Sequence, residues 1–306
     1  MNNSPFFEQT GLMVKILPLA MSEDCFALKG GTAINFFHRE MPRLSVDIDL
    51  TYLPIQDRET TLNEISKALN RIAEKIKTQY PSYKVSKKVL KDKNPYVFKL
   101  QVHSGKTQIK IEPNLVLRGF CYETQRLSMC KTACNFFEEE VRCMVMSPED
   151  LYGGKICAAL DRQHPRDFYD VKILLENEGI TENIIESFVV YLSSNNRPIS
   201  ELLSPQMINT EAVFQREFTG MAQIPVTYDD LMEARTSLIR TINKVLTNDH
   251  RQFLFSVKEG SPNFKLINIK GIEKLPALQW KIKNIQKMNT KKHKKAVEKL
   301  KHILAL

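Results

Sequence analysis

Residues 28–50 of the chain read LKGGTAINFFHREMPRLSVDIDL. A double glycine precedes Thr32, and a D-x-D pair, Asp47 and Asp49, begins fifteen residues after that threonine. A glycine turn lets a backbone or a ligand approach closely, and adjacent carboxylates supply the oxygen ligands of a divalent cation. This stretch therefore predicts a site that holds an anion and a metal ion together.

The D-x-D pair lies in LSVDIDLTY, residues 44–52, whose alternation is typical of a β-strand. One face would carry Val46, Ile48 and Leu50, and the other would carry Ser45, Asp47, Asp49 and Thr51. Adjacent anions repel each other unless a cation lies between them. The alternative is that both aspartates cap a strand end and stay solvated, but aspartate is a poor strand former, which favours the metal site.

A third carboxylate is expected in TQIKIEPN, residues 107–114. The same alternation buries Ile109 and Ile111 and places Glu112 on the polar face with Lys110. On a strand next to the D-x-D pair, Glu112 could complete a three-acid site for Mg²⁺. Alternatively, Glu112 forms an ion pair with Lys110 or with an exposed lysine.

The glycines supply the anion-binding half of the predicted site. The segment TAINFFHRE is expected to be a helix with Thr32 as its N-cap, and Gly30 and Gly31 form the turn before it. Such a turn offers unpaired backbone N–H groups, the positive end of the helix dipole and the Thr32 hydroxyl to a triphosphate.

The remaining periodicity predicts an α+β N-terminal domain followed by a mostly helical domain. Residues 58–79 have helical spacing of apolar residues, and YKVSKKVL, YVFKLQVH and TQIKIEP have the pattern of strands, the last two joined as a hairpin. From residue 147 onward the pattern is helical. We expect an α+β core with the D-x-D site at 1–147, a helical domain at 148–269 and a basic helical segment at 270–306.

The basic segment accounts for the charge of the chain. It contains eleven lysines and two glutamates, a net charge of +9, which equals the net charge of all 306 residues. A lysine-rich helical end is typical of a surface that binds nucleic acid phosphates. A solvated helix face or a flexible solubilising end explains the same composition without a ligand.

Other features exclude several classes of protein. No window of about 18 uncharged apolar residues and no secretory signal pattern occur, so neither a membrane span nor export is predicted, and a cytoplasmic location is expected. The six cysteines contain no C-x-x-C pair, and only Cys130 and Cys134 are close in sequence. Reduced, mostly buried thiols are therefore favoured over a four-cysteine zinc site.

Two stretches, in the same order along the chain as in the family, resemble the AbiEii/AbiGii-type nucleotidyltransferase toxins. These toxins are relatives of the MenT toxins and have a polymerase-beta-like fold. The first is LKGGTAINFFHREMPRLSVDIDL, and the second is SPEDLYGGKICAALDRQHPRDFYDVKILL, residues 147–175. The matching positions of the first stretch are Gly30, Gly31, Thr32, Arg43, Ser45, Asp47 and Asp49. Those of the second are Lys155, Arg162, Arg166, Asp167 and Asp170.

The resemblance implies a transferase in which an acceptor hydroxyl attacks the α-phosphate of a nucleoside triphosphate (NTP) and pyrophosphate leaves. Asp47 and Asp49 would hold Mg²⁺ or Mn²⁺, and Glu112 would complete the metal site or act as the base. The implied nucleotide-binding residues are Gly30, Gly31, Thr32, Arg43, Ser45 and Lys155.

The second stretch is implied to contribute catalytic residues as well. Lys155 would contact phosphate as a compact point charge, and Asp167 and Asp170 would act with it. Each has a plainer explanation. Lys155 could be a surface lysine beside a helix kink, and either aspartate could pair structurally with Arg162 or Arg166.

The family further implies an RNA acceptor, specifically the tRNA 3′ end, and a toxin that a cognate antitoxin silences. The lysine-rich segment favours such a polyanionic acceptor. Transfer to a protein or small-molecule hydroxyl stays open, as does a nucleic-acid-binding module without catalysis. Intact Asp47, Asp49 and Lys155 argue against the module, because a decayed site usually loses costly unpaired charges.

Overall fold

The computed structural model describes residues 4–91 and 95–306 of the chain. These residues divide into two units. The first unit comprises Met1–Ser147 and Thr219–Pro225, and the second comprises Pro148–Phe218 and Val226–Leu306. The first is built on a mixed sheet and the second is helical, so the predicted α+β class is confirmed.

The first unit contains a seven-stranded sheet with helices packed on it. Its strands are β1 (Phe26–Lys29), β2 (Ile48–Tyr52), β3 (Lys84–Lys91), β4 (Pro95–Ser104), β5 (Thr107–Asn114), β6 (Gln125–Ser128) and β7 (Arg142–Val145). Their order across the sheet is β3-β4-β5-β2-β1-β7-β6. Strand β2 is central, antiparallel to β1 and parallel to β5.

Four helical elements complete the first unit: α1 (Phe7–Ala20), α2 (Gly30–Ala33, continued as a π-helix over Ile34–His38), α3 (Arg58–Gln79) and α4 (Lys131–Phe137). Helix α3 has the bounds expected from its periodicity, and it packs against β4. Its apolar residues at three- and four-residue spacing are buried, and the Asp57 carboxylate caps it by accepting a hydrogen bond from the Thr60 N–H.

Two local expectations for the motif region are wrong in detail. The strand begins at Ile48 rather than at residue 44, and residues 44–47 have no strand pairing of their own. The helix after the glycines begins at Gly30 with Lys29 as N-cap, so Thr32 lies inside it. Glycine at position 30 accounts for the shift, because its φ of +71° makes the turn two residues before Thr32.

The segment Thr219–Pro225 returns to the first unit and pairs with the loop that leads to the D-x-D pair. Arg43 and Ala222 form an isolated antiparallel bridge. The Leu44 N–H donates to the Met221 carbonyl at 2.9 Å. This pairing fixes the backbone just before the two aspartates, and no local pattern in the sequence indicates it.

The second unit contains nine helices among the residues described: α5 (Pro148–Arg162), α6 (Pro165–Glu176), α7 (Glu182–Ser194), α8 (Ile199–Leu203), α9 (Glu211–Glu217), α10 (Tyr228–Val245), α11 (Asn248–Glu259), α12 (Pro276–Gln286) and α13 (Thr290–Leu304). Helices α5 and α7 pack closely. A Cβ on Gly153 would lie 2.8 Å from the Phe188 backbone nitrogen, which explains this glycine within α5.

The six cysteines are free thiols, and Cys130, Cys143 and Cys157 are buried. Burial raises the pKa of the Cys143 thiol to about 12. Within residues 4–91 and 95–306, no helix combines the length and the apolar character needed to cross a bilayer.

Candidate active site

The D-x-D pair lies at the start of β2 with both carboxylates on one side. Val46, Ile48 and Leu50 are buried beneath, while Asp47 and Asp49 are half-buried. The predicted alternation is present from Val46 to Leu50, whereas Ser45 and Thr51, which were expected on the polar face, are buried. The pair therefore lies at the edge of a packed core.

Charged side chains from four adjacent strands meet beside this pair, and we call them the charged row: Lys29, Asp49, Glu112 and Lys99. Lys29 is the register partner of Asp49 across β1 and β2, and Asp49 is the register partner of Glu112 across β2 and β5. Lys99, on β4, forms an ion pair with Glu112 at 2.6 Å. The sheet thus places two of the three predicted carboxylates, Asp49 and Glu112, on neighbouring positions, with a lysine at each end of the row.

Glu112 pairs with Lys99 on the neighbouring strand rather than with Lys110 on its own strand. The hairpin explains this choice, because β4 and β5 are in register from Ser104 and Thr107 inward. Counting back from the turn sets Lys99 opposite Glu112. Sequence reasoning missed Lys99, although the two-residue turn contained the necessary signal.

Gly30 lies against Asp49. A Cβ at position 30 would be 2.5 Å from the Asp49 Oδ2 atom, and the φ of Gly30 is +71°. Both facts require glycine, since any side chain would collide with the carboxylate and would strain the backbone. The glycine turn and the D-x-D pair are therefore one packed feature.

Gly31 is required by a different neighbour. A Cβ there would lie 2.5 Å from the Arg43 Nη2 atom and 3.3 Å from the Ser45 Oγ atom. Arg43 is buried, and its Nη1 donates to the Leu44 carbonyl at 2.8 Å. Arg43 thus supports the glycine turn from within the first unit.

Thr32 connects the glycine helix to the D-x-D pair. Its Oγ1 lies 2.6 Å from the Asp47 carbonyl oxygen and 3.0 Å from the Ser45 Oγ atom. A hydroxyl carries one hydrogen, so Thr32 donates to the carbonyl and accepts from Ser45. Thr32 and Ser45 are both buried, which makes them positioning residues for Asp47 in this structure.

The second motif forms a buried charge cluster within the second unit. The Lys155 Nζ atom lies 2.9 Å from Asp167 Oδ1 and 3.0 Å from Asp170 Oδ2. Arg162 adds hydrogen bonds to Asp167, from Nε at 2.6 Å and from Nη2 at 2.9 Å. We call these four residues the lysine cluster.

Burial separates this cluster from an ordinary surface ion pair. Lys155 is 7% exposed and Asp167 is fully buried, so the alternative of a surface lysine is wrong. Burial raises the pKa of the Asp167 carboxyl, but the charges and hydrogen bonds of Lys155 and Arg162 outweigh it and hold that pKa well below the ordinary value. Asp167 therefore stays ionised and holds the lysine ammonium in place.

Comparison with known proteins shows which family has these motifs. The family model described as the nucleotidyl transferase AbiEii toxin of type IV toxin–antitoxin systems matches residues 11–284. The chain belongs to the AbiEii family. The match contains both motifs and ends before α13. The resemblance inferred from the motifs is confirmed, and the chain is a nucleotidyltransferase enzyme.

One solved structure agrees with this chain at the level of the fold. MenT4, a nucleotidyltransferase toxin from Mycobacterium tuberculosis H37Rv, is similar with a TM-score of 0.59 and 13% identity, over 96% of this chain and 92% of that chain. Terminal uridylyl transferase 4 from Trypanosoma brucei with bound dUTP matches over 96% and 94% of the two chains at 12% identity, but its TM-score is only 0.29. No curated protein sequence matches significantly.

Asp47 and Asp49 fit a magnesium site in which the protein supplies only two carboxylate ligands. Within residues 4–91 and 95–306, no group of three or more acidic, histidine or cysteine side chains is arranged to hold a metal together. Mg²⁺ needs only one or two carboxylates, because water and substrate phosphates fill its other positions. Asp47 and Asp49 meet this requirement, and the Asp47 carboxylate has no ion pair with any described residue.

Proposed function

We propose that this AbiEii-family enzyme is a metal-dependent nucleotidyltransferase that transfers a nucleoside monophosphate from an NTP to RNA. The observation that carries the proposal is the D-x-D pair at the start of β2, packed against Gly30 and tied to Thr32. A metal–triphosphate complex contains a cation and an anion, and one site must bind both. The two carboxylates suit the metal ion, and the glycine turn suits the triphosphate.

The proposed roles follow from the positions of the side chains. Asp47 and Asp49 hold Mg²⁺ or Mn²⁺, which when bound promotes deprotonation of the acceptor hydroxyl and neutralises the leaving pyrophosphate. The Gly30–Gly31 turn presents backbone N–H groups to the triphosphate. Thr32 keeps Asp47 in position through its carbonyl. Glu112 is the candidate third ligand or base on the neighbouring strand.

In the second unit, Lys155 is the proposed phosphate contact. Asp167 and Asp170 orient its ammonium group, and Arg162 balances the charge of Asp167. An ammonium held by two buried carboxylates has a fixed position, which suits a point charge that meets a phosphate oxygen.

The proposed acceptor is RNA, and its most specific form is the tRNA 3′ end. Helices α12 and α13 support the proposal of a polyanionic acceptor. They present an exposed basic face, while Leu300 and Leu304 are buried. Seven exposed lysines lie on these helices, and Lys287 directly follows α12: Lys283, Lys287, Lys291, Lys292, Lys294, Lys295, Lys299 and Lys301. These eight lysines form a surface that phosphates can bind at several points.

Lys281 is an exception among the lysines of this segment. Its Nζ donates to the carbonyls of Asn195 at 2.6 Å and Arg197 at 2.9 Å. Burial, with a smaller effect of Lys258, lowers its pKa to about 8. Lys281 therefore joins α12 to the end of α7 and is not part of the proposed RNA surface.

As a member of a toxin family, the enzyme is proposed to act on its own cell in the cytoplasm, where tRNA and NTPs occur. A cognate antitoxin is the proposed partner. Modification of tRNA at the 3′ end would block aminoacylation, which gives a toxin function to the transfer reaction itself.

The test is incorporation of each α-labelled NTP into total tRNA with Mg²⁺. Wild-type protein is compared with Asp47→Asn and with Asp24→Asn, which makes the same change at an exposed acid just before β1. Label in wild type and Asp24→Asn but not in Asp47→Asn supports the proposal. Equal label in all three would contradict the assignment of Asp47, and label on protein or a small molecule instead of RNA would move the acceptor to the alternative class.

A further inference from the structure

Lys99 forms an ion pair with Glu112, one of the predicted metal ligands. Its Nζ lies 2.6 Å from Glu112 Oε2, and the two side chains are 21% and 42% exposed. Lys99 belongs to β4, which is separated from the D-x-D strand by β5. The ion pair therefore extends from Glu112 towards β4, on the side of β5 opposite to β2.

The ion pair with Lys99 weakens the ability of Glu112 to bind a metal ion. Its register partner Asp49 lies on the other side, on β2. Each carboxylate oxygen engaged by an ammonium loses affinity for a second cation, because two positive charges on one carboxylate repel each other. Consistent with this, no three acidic side chains among the described residues are arranged around a common point.

We propose that Lys99 is a counter-ion that metal binding displaces from Glu112, so that Lys99 sets the metal concentration at which Glu112 joins Asp47 and Asp49. This inference rests on the proposed metal site of the first unit. Released from Lys99, the Glu112 carboxylate is free to turn towards Asp49. In this exchange a divalent metal ion replaces the monovalent ammonium group beside Glu112.

Lys110 supplies a matched control. It lies on β5 two residues before Glu112, and by alternation on the same face of the strand. No described residue forms an ion pair with it. Lys110→Met therefore removes the same charge from the same face and leaves the Lys99–Glu112 pair intact.

The experiment measures binding of Mn²⁺ alone, by electron paramagnetic resonance of the free ion, to the full chain. The variants are Lys99→Met, Lys99→Arg, Lys110→Met, Glu112→Gln and the Lys99→Met/Glu112→Gln double variant. Circular dichroism confirms that each is folded. We expect Lys99→Met to bind Mn²⁺ roughly three- to tenfold more tightly, the scale for removing one partly exposed charge. Lys99→Arg should stay near wild type, and Lys110→Met should change the affinity much less.

The double variant separates displacement from a general charge effect. If Lys99 acts through Glu112, Lys99→Met should give no gain in the Glu112→Gln background. The inference would be overturned if Lys99→Met bound Mn²⁺ no more tightly than wild type, or if Lys110→Met gained as much affinity for Mn²⁺ as Lys99→Met. Neither outcome would contradict the metal site at Asp47. Absence of saturable Mn²⁺ binding in wild type would overturn both the inference and the metal part of the proposed function, and the labelling assay then tests the transferase separately.

Discussion

Asp49 and Gly30 are in direct contact, with the Asp49 Oδ2 atom only 2.5 Å from the point where a Cβ on residue 30 would lie. One of the predicted metal ligands is thus positioned by the absence of a side chain on the glycine turn. This contact joins the two halves of the motif, which are separated by nearly twenty residues in sequence.

The first prediction concerns that contact. Gly30→Ala should abolish transfer activity and lower the free energy of unfolding by about 1–3 kcal/mol, because the methyl group displaces Asp49 and residue 30 has a positive φ. Urea unfolding measures the stability, and the labelling assay measures the activity.

Gly105→Ala is the control for backbone strain alone. Gly105 has a φ of +58° and no neighbour within 4 Å of the added methyl group. It should lose stability but keep transfer activity. Equal loss of activity in both variants would show that the collision with Asp49 is not the cause.

A second prediction concerns Thr32. Thr32→Val removes the hydroxyl that donates to the Asp47 carbonyl and that accepts from the buried Ser45 hydroxyl. It should lower the free energy of unfolding by about 1–3 kcal/mol and weaken Mn²⁺ binding. Thr32→Ser keeps the hydroxyl and should retain the affinity for Mn²⁺. Normal Mn²⁺ binding by Thr32→Val would mean that Asp47 does not depend on this hydrogen bond.

A third prediction concerns the lysine cluster. Lys155→Met leaves Asp167 and Asp170 buried with less positive charge, and should lower the free energy of unfolding by about 3–5 kcal/mol. Urea unfolding is the measurement. Lys155→Met combined with Asp170→Asn should recover part of the loss, because one uncompensated charge is removed as well. No recovery would contradict the assigned role of this ion pair.

The fourth prediction is a pH dependence. The pKa of Asp167 is lower in the folded protein than its ordinary value of 3.8, so the folded state binds fewer protons in acid than the unfolded state. The contribution of the Asp167 carboxylate to the free energy of unfolding is fully present above pH 3.8, and it is lost as the pH falls below that value. Wild type should therefore lose stability in acid more steeply than Asp167→Asn. Urea unfolding as a function of pH measures this, and Asp229→Asn, at an exposed acid of α10, should keep the wild-type slope.

The fifth prediction tests the basic face of α13. Replacement of Lys291, Lys292, Lys294 and Lys295 by glutamine should weaken tRNA binding and reduce the slope of log K against log salt concentration by up to about 3, since each released phosphate contact contributes about 0.7–0.9. Filter binding at several salt concentrations measures the slope.

Four exposed lysines of the first unit are the control for net charge: Lys67, Lys77, Lys106 and Lys131. Their replacement by glutamine should leave most of the salt dependence in place. If the slope were the same after replacement of the α13 lysines, the basic face would be a solvated surface without an RNA contact.

Short-range patterns were enough to predict the elements that carry the site. The spacing of apolar residues predicted α3 with its observed bounds, and the alternation around Asp47 and Asp49 predicted their common face. Each of these features depends on residues within one helix or strand. Helical and strand periods are properties of the local backbone, so they are visible without knowledge of the fold.

The partners of the same side chains depended on distant parts of the chain. Glu112 lies beside Asp49 because β5 pairs in parallel with β2, Arg43 is bridged to Ala222, and Lys155 meets aspartates from the next helix. Ser45, expected on the polar face, is buried beneath Thr32.

The sequence by itself therefore determined the local periods of the helices and strands, and from them it predicted the candidate residues and the common face of Asp47 and Asp49. Only the tertiary structure decided which charges meet. The reason is physical: the direction of a side chain is set by its own backbone, whereas its partner is set by the register between strands and the packing between helices. Those depend on burial of the whole core, to which every element of a unit contributes.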